Sequence, residues 1–471
     1  MRTQSQTILV ICNNHNSLTI LDLCQTIVAR LEGTNLIILS SPDLYDRIEA
    51  HCNHFKNLKL IKWGKDSLEN QPNHVITSLF KKTFNNFLKT KFFKRHLNWF
   101  RHTSLGFLLQ EYLIYFRLEI AKKKALDILV DGAPIAVMTF SDRTHDYLEA
   151  SILWAAKKRS IKIIIPYIAH YDKDYAIAYR KNSKGHVSDE FRPFYPFNFY
   201  KMFAYARLSK SLYKNFFFQS PHVLMAHRRA GTSSSYPWWV GNGNSDYVCV
   251  DSLHSMRRFS QNHVPEKKLR LVGDVYYDVL VRQIKNKDRR RTELCAKYQL
   301  DSSQKIVILA MPQFLEQGLM DAPSHWSAIN LLMTALTNSG HNILVSLHPR
   351  MNIADYMFLE EEYPCKITDE RLSEYICIGD FFVSHISSTV IWATLCGIRS
   401  IVIDPLSIRL DFYSFLKTVQ VVKNFNDLTV SLLEQFISNE TDFHDDWLIL
   451  SKDDIFDGKT IDRYVALLLE T

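Results

Sequence analysis

Two segments, Asn342-Ile-Leu-Val-Ser-Leu-His-Pro-Arg350 and Phe381-Phe-Val-Ser-His-Ile-Ser-Ser-Thr389, carry the strongest structural signal in this chain. Each begins with a short apolar run, Asn342 to Leu347 and Phe381 to Val383, with the length and composition of a buried parallel strand. Each then enters a polar loop that precedes a helical pattern. Both loops are therefore expected at the carboxyl edge of one parallel sheet, where open α/β sheets bind ligands. Ser387, Ser388 and Thr389 lead into a helix expected over Val390 to Cys396, whose first N–H groups have no partner within the helix. His348 and Arg350 add an imidazole and a fixed positive charge suited to phosphate. Either loop alone would be an ordinary cap or turn; the two at matching strand ends point to a pocket for a nucleotide phosphate.

A chain of 471 residues is longer than one ordinary domain and suits two or three. It holds no run of 18 apolar residues, and Met-Arg-Thr-Gln-Ser-Gln leads directly into a strand pattern, so neither a spanning helix nor a signal peptide is expected. Eight cysteines lie scattered without a Cys-x-x-Cys pair, which suits reduced thiols of a cytoplasmic protein better than zinc ligands or a disulfide frame. The net charge of +8 is concentrated between Lys81 and Lys124 and between Arg192 and Arg229. No nucleic-acid module accompanies it, which leaves an anionic membrane surface or an anionic substrate as the expected partner.

Strand and helix patterns alternate along the rest of the chain. Thr7 to Cys12 and Asn35 to Leu39 read as strands around a helix that Ser17 caps, without a Gly-x-Gly-x-x-Gly loop between them. Ile135 to Phe140, Lys162 to Ile168, Asp246 to Val250 and Leu269 to Val272 continue this first half. His74 to Leu126 reads as a helical insertion rich in aromatic and basic residues, and the turn-rich Ser233 to Gly243 as an insertion over a cleft. The charged run Asn286 to Glu293 reads as a hinge. A second half follows with strands at Lys305 to Ala310, Asn342 to Leu347, Phe381 to Ser384, Ser400 to Ile403 and Val419 to Val422, and a helix near Leu372 to Ile378. The expected domains are 1–285, 286–440 and a helical segment, 441–471, whose last helix returns to the first half.

Further candidate residues sit where these strands end. Asp142, His145 and Asp146 follow Ile135 to Phe140, and two carboxylates with a histidine there can supply a general base, Asp142 first. His170 ends the next strand and is expected at the same cleft. Gln313 and Glu316 follow Lys305 to Ala310 and are placed to bind donor or acceptor.

Two Rossmann-like, doubly wound halves facing a cleft, with phosphate loops in the second, resemble the GT-B architecture of glycosyltransferases and the related nucleotide-sugar 2-epimerases. Within that group, His348-Pro349 and Ser387-Ser388 resemble the His-Pro and Ser-Ser motifs of bacterial sialyltransferases and of Kdo-transferase-like enzymes of capsule and lipopolysaccharide synthesis. The resemblance implies transfer of an acidic sugar, a sialic-acid-like nonulosonic acid or Kdo, from a CMP-sugar to a glycan or lipid-linked glycan. It implies no metal or other cofactor, and a place in the cytoplasm or on the inner face of its membrane. His348, Ser387 and Ser388 would hold the CMP phosphate beside Thr389, with His348 protonating the leaving group and an acid of the first half deprotonating the acceptor. That family's Asp/Glu-Asp/Glu-Gly motif is not matched here: Val130-Asp131-Gly132 precedes its strand, and Asp142 sits better. Transferases using a UDP-sugar or CDP-glycerol share the fold. A 2-epimerase would carry glutamates after the loop, and Ser387 to Thr394 holds no acid.

Overall fold

The computed structural model describes residues 6–14, 17–31, 33–53, 55, 57–63, 104–143, 146–168, 218–349, 351–407, 413–438 and 442–470. Two parallel sheets organise them. The first, in the order β3-β2-β1-β4-β5-β6-β7, joins β1 (Thr7–Cys12), β2 (Asn35–Ser40), β3 (Leu58–Lys62), β4 (Ala136–Met138), β5 (Lys162–Ile165), β6 (Tyr247–Val250) and β7 (Leu269–Leu271). The second, in the order β10-β9-β8-β11-β12-β13, joins β8 (Ile306–Ala310), β9 (Asn342–Ser346), β10 (Cys365–Thr368), β11 (Phe381–Ser384), β12 (Arg399–Ile403) and β13 (Val419–Val422).

Alternation along the central strands builds a core on each face of each sheet. Ile8, Val10 and Cys12 of β1 pack with Ile20, Leu21 and Cys24 of the helix Ser17–Arg30, whereas Leu9 and Ile11 pack with Ala121, Ala125 and Leu129 of the helix Ser104–Gly132 and with Ile152 of the helix Tyr147–Lys158. In β8, Ile306 and Ile308 meet Tyr277, Leu280 and Leu294, while Val307 and Leu309 meet Ile329, Leu332 and Leu336 of the helix Ala322–Thr337. Each such side chain contributes about 1.5–3 kcal/mol when fully buried.

Two expectations change, and two edge strands appear that the sequence pattern does not announce. The run expected as a hinge is helical, Lys287–Tyr298, because its cations have partners in the second half: Arg291 pairs with Asp380 at 3.0 Å, Lys297 with Asp369 at 2.7 Å, and Arg290 with Glu370. Leu372 to Ile378 forms two short 3-10 turns instead of one helix. The edge strands β3 and β10 lack the continuous apolar run of the central strands; the exposed Lys59 and Lys62 of β3 are charges that blunt a sheet edge. At the other end of the chain the helix Thr460–Leu469 joins the core of the first half through Ile461, Tyr464, Leu467 and Leu468, and the Tyr464 hydroxyl accepts the Tyr167 N–H at 3.1 Å.

The chain leaves the first sheet at Gly273, whose φ of +102° suits glycine, and a Cβ there would lie 3.2 Å from Thr460 Oγ1 and from Tyr277 Cδ2. Asp274 follows, wholly buried, accepting the Tyr276 N–H at 2.9 Å and the indole N–H of Trp392, from the second half, at 3.1 Å. Burial pushes its carboxyl up to about 7. The folded chain therefore binds this proton more tightly than the unfolded chain, so the stability it contributes is complete below about pH 4 and lost as pH rises through about 7. Unfolding free energies of wild type and Asp274→Asn, measured from pH 4 to pH 8, should shift in favour of the variant as pH rises, by an amount on the order of a few kcal/mol. A constant difference across that range would show that Asp274 ionises normally.

Candidate functional site

In the second sheet the strand order reverses beside β8, between β8 and β11, and such reversals open a crevice at the carboxyl ends of the strands. Three loops meet along this edge: Met311 to Glu316 after β8, Leu347 and His348 after β9, and His385 to Ser388 after β11. Gln313, Glu316, His348, Ser387, Ser388 and Thr389 are thus brought to one side of one sheet. His348 is exposed, and its backbone N–H lies 3.3 Å from Met351 Sδ. Arg350 lies outside the described residues.

The serine loop is held from behind. The Tyr413 hydroxyl accepts the Ser387 N–H at 2.9 Å and donates to the Ser387 carbonyl. Ser387 Oγ accepts the Thr389 N–H at 3.3 Å and lies 2.8 Å from Thr389 Oγ1. The helix begins at Thr389, one residue earlier than expected, and Ser387 shares in its cap while the Ser388 side chain makes no capping bond.

His385, within the same loop, is a residue that sequence reasoning passed over. Its Nδ1–H donates to the Ile403 carbonyl at 2.6 Å, its ring lies 4.8 Å from that of Phe314, and its Nε2 is buried without a partner. Burial pulls its pKa down, so the ring is neutral and Nε2 offers a lone pair. A histidine directly after an apolar strand looks like a core residue, and only the strand order places it at the crevice.

Across the same edge the Tyr356 hydroxyl donates to Glu316 Oε1 at 2.7 Å and meets His325 Nε2 at 3.0 Å. Glu316 Oε2 and Gln313 Oε1 are buried without partners.

The first sheet reverses between β1 and β4. There Asn13, just past β1, donates from Nδ2 to Asp146 Oδ2 at 2.9 Å and to Glu149 Oε2 at 3.3 Å, while Asp146 Oδ1 accepts the Glu149 N–H at 2.7 Å and caps the helix Tyr147–Lys158. Burial pushes the Asp146 carboxyl upward, against the pull of these hydrogen bonds. His145 and His170 lie outside the described residues. Asp131 is exposed at the end of the helix Ser104–Gly132, before β4 begins and so at the opposite edge of the sheet.

Asp142 has different work from the base expected of it. It is fully buried, its Oδ1 accepts the Gly241 N–H at 2.8 Å, and its Oδ2 accepts Gly243 N–H at 2.8 Å, Ser245 N–H at 3.3 Å and Ser245 Oγ–H at 2.6 Å. With both oxygens occupied it clamps a loop and faces no cleft. Lys268 Nζ braces the same loop at the carbonyls of Gly241, 3.1 Å away, and Gly243, 2.9 Å away. The Ser233 to Gly243 stretch is correspondingly packed rather than draped, with Trp238 and Trp239 buried against Phe218 and Phe259.

No protein-family description matches this chain, and no curated protein matches it in sequence. Its structure is similar to UDP-GlcNAc 2-epimerase from Neisseria meningitidis bound to UDP-GlcNAc, at 9% identity and a TM-score of 0.52, over 99% of this chain and 100% of that one. The epimerase from Methanocaldococcus jannaschii gives 10% identity, a TM-score of 0.52 and the same two coverages, 99% and 100%. The wall teichoic acid polymerase TagF gives 11% identity and a TM-score of 0.51 over 99% of this chain and 88% of that chain. At such identities the likeness is one of fold, and the fold is GT-B: two doubly wound parallel sheets.

The Asp142 clamp makes a prediction about stability. A Cβ on Gly243 would lie 2.0 Å from the Asp142 carbonyl oxygen, so Gly243→Ala forces the loop off its anchor. Asp142→Ala strands buried N–H donors at about 1–3 kcal/mol each. Both variants should melt well below wild type in a thermal-unfolding scan, whereas an unchanged melting temperature for Asp142→Ala would return that carboxylate to the list of candidate bases.

Proposed function

We propose that this chain is a GT-B transferase that takes a group from a nucleotide-activated donor and passes it to a hydroxyl acceptor. The observation that carries this reading is the meeting of the His348, Glu316 and Ser387 loops around the strand-order reversal of the second sheet. The hydroxyls of Ser388 and Thr389 and the ring of His348 are donors suited to the charge that grows on the nucleotide phosphate as it leaves, and His348 is placed to protonate it. In the first half, Asp146 replaces Asp142 as the base for the acceptor: it lies at that sheet's own reversal, only half-buried, with a pKa that burial raises toward neutrality.

A UDP-sugar or CDP-glycerol is the better supported donor, since the structures of like fold include an epimerase bound to UDP-GlcNAc and TagF soaked with CDPG. Transfer of a CMP-linked acidic sugar is the second reading, favoured by His348-Pro349 and Ser387-Ser388 standing at the ends of strands that both flank β8. The acceptor is a glycan or lipid-linked glycan. No described helix is long and apolar enough to cross a membrane. The helix Ser104–Gly132 nevertheless carries a stripe of Leu109, Tyr112, Leu113, Phe116 and Ile120, 43–59% exposed, with exposed Arg117 and Lys123 beside it. This stripe supports peripheral seating on an anionic bilayer.

Calorimetric titration with UDP, CDP and CMP tests the donor. The two diphosphates should bind more tightly than CMP and need no added magnesium, and a clear preference for CMP would transfer the function to the second reading. His348→Ala and the Ser387→Ala, Ser388→Ala double variant should each weaken the preferred nucleotide by about 1.5–3 kcal/mol. Asp146→Asn should leave that affinity alone, lower turnover by about 100-fold and abolish the fall in wild-type rate as pH drops through the carboxyl's raised pKa. Failure of all three nucleotides to bind would sink the proposal.

The membrane surface has its own measurement. Wild type should sediment with vesicles containing anionic lipid at low salt and come off as salt is raised, and Leu113→Glu with Phe116→Glu should abolish binding. Equal sedimentation of this double variant would clear the stripe of any part in it.

A further inference from the structure

Around Glu316 the hydrogen-bond roles can be assigned atom by atom. Tyr356 has one hydroxyl proton and gives it to Glu316 Oε1 at 2.7 Å, so toward His325 Nε2, 3.0 Å away, the phenol oxygen is the acceptor and the ring is the donor. His325 is completely buried, and burial disfavours its charged form. The ring therefore carries its proton on Nε2 and leaves Nδ1 bare, buried and without a partner. The chain of donation runs His325 to Tyr356 to Glu316 and stops at the carboxylate.

Glu316 Oε2 receives nothing. Neither does Gln313 Oε1 from the same loop, nor Ser384 Oγ and His385 Nε2 at the neighbouring end of β11. Among the described residues no Lys or Arg pairs with Glu316. A buried acceptor left unpaired destabilises the fold, and folded proteins rarely carry several such atoms together. Those with fixed roles here, the carboxylate oxygen and the His385 lone pair, can only accept. A phosphate has no proton to give them and would be repelled by Glu316. A sugar ring with neighbouring hydroxyls supplies what is missing.

We infer that Glu316, with one oxygen clamped by Tyr356 and the other left for ligand, is a hydroxyl-binding carboxylate that grips a vicinal hydroxyl pair, with Tyr356 and His325 as its positioning residues. This rests on the proposed reading of the site as one for a nucleotide-activated donor, and it gives the crevice two chemical ends. His348, Ser388 and Thr389 take the phosphate through donors, and Glu316 with His385 Nε2 takes hydroxyls through acceptors. Those hydroxyls belong either to the ribose of the nucleotide or to the transferred sugar.

Calorimetry on the full-length protein separates these. The first arm compares the tightest-binding nucleotide with its 2′,3′-dideoxy form, and the second compares UDP with UDP-GlcNAc. If ribose is the source, wild type should lose about tenfold or more in the first arm. That ratio should collapse toward one in Glu316→Ala, while Tyr356→Phe, which frees Oε1 without removing the carboxylate, should reduce it part-way. If the transferred sugar is the source, the affinity that UDP-GlcNAc gains over UDP should vanish in Glu316→Ala instead. A merely structural role would weaken every ligand alike and leave both ratios unchanged, and that result would overturn the inference with the nucleotide site intact. Absence of nucleotide binding in wild type would overturn both. Should Glu316→Ala fail to fold, Glu316→Gln, which keeps the shape and loses the charge, serves for the same ratios.

Discussion

A parallel strand cannot reach its neighbour by a tight turn; it must cross over the sheet through a longer connection, and where successive crossovers change direction the sheet is left with a crevice at its carboxyl edge. Both sheets of this protein change direction beside their first strand, at β1 and β4 and again at β8 and β11. Nearly everything of chemical interest follows from those two reversals. They bring Asn13 to Asp146 across 133 residues of chain, and they set the loop of Glu316 beside that of His385. The apolar alternation of the central strands, buried on both faces, is what obliges the helices to lie on both sides and keeps the strand ends free for polar loops.

The energetics of the two crevices differ. In the first, Asp146 accepts hydrogen bonds from Asn13 and from the backbone of Glu149, yet burial outweighs them and raises its pKa. Along the second, acceptors stand unpaired at Glu316, Gln313 and His385 while hydroxyl donors gather at Ser387 and Thr389. The hydroxyls of Ser387 and Thr389 meet each other, so the unmet groups along this edge are the acceptors, and holding them unpaired is costly.

The architecture was largely legible because it is written in period. Strands β1, β11 and β13 start and stop where their apolar runs do, and β8, β9 and β12 within a residue of them. What escaped was written in neither period nor composition. β3, with lysines at 59 and 62, and β10, only four residues long, have too little apolar sequence to announce themselves. The run Asn286 to Glu293 reads as a hinge because it is charged and poor in apolar residues; Arg289 and Arg290 meet Glu293 within it, but the partners that tie it to the second half, Glu370 for Arg290 and Asp380 for Arg291, lie 80 and 89 residues on.

The two aspartates after β4 show why the same sequence gives the neighbourhood of a loop more readily than the work of each residue in it. Asp142 and Asp146 stand four positions apart in one polar loop, and the sequence offers each the same choices of cap, base or ion pair. What separates them is Gly241-Asn-Gly-Asn-Ser245, a hundred residues downstream, whose N–H groups occupy one carboxylate and not the other. Gly243 is part of that selection, because any side chain there would push against Asp142 and undo the clamp. A glycine in a turn-rich loop thus helps, at a distance, to make Asp142 a buried clamp, while Asp146 caps the helix Tyr147–Lys158.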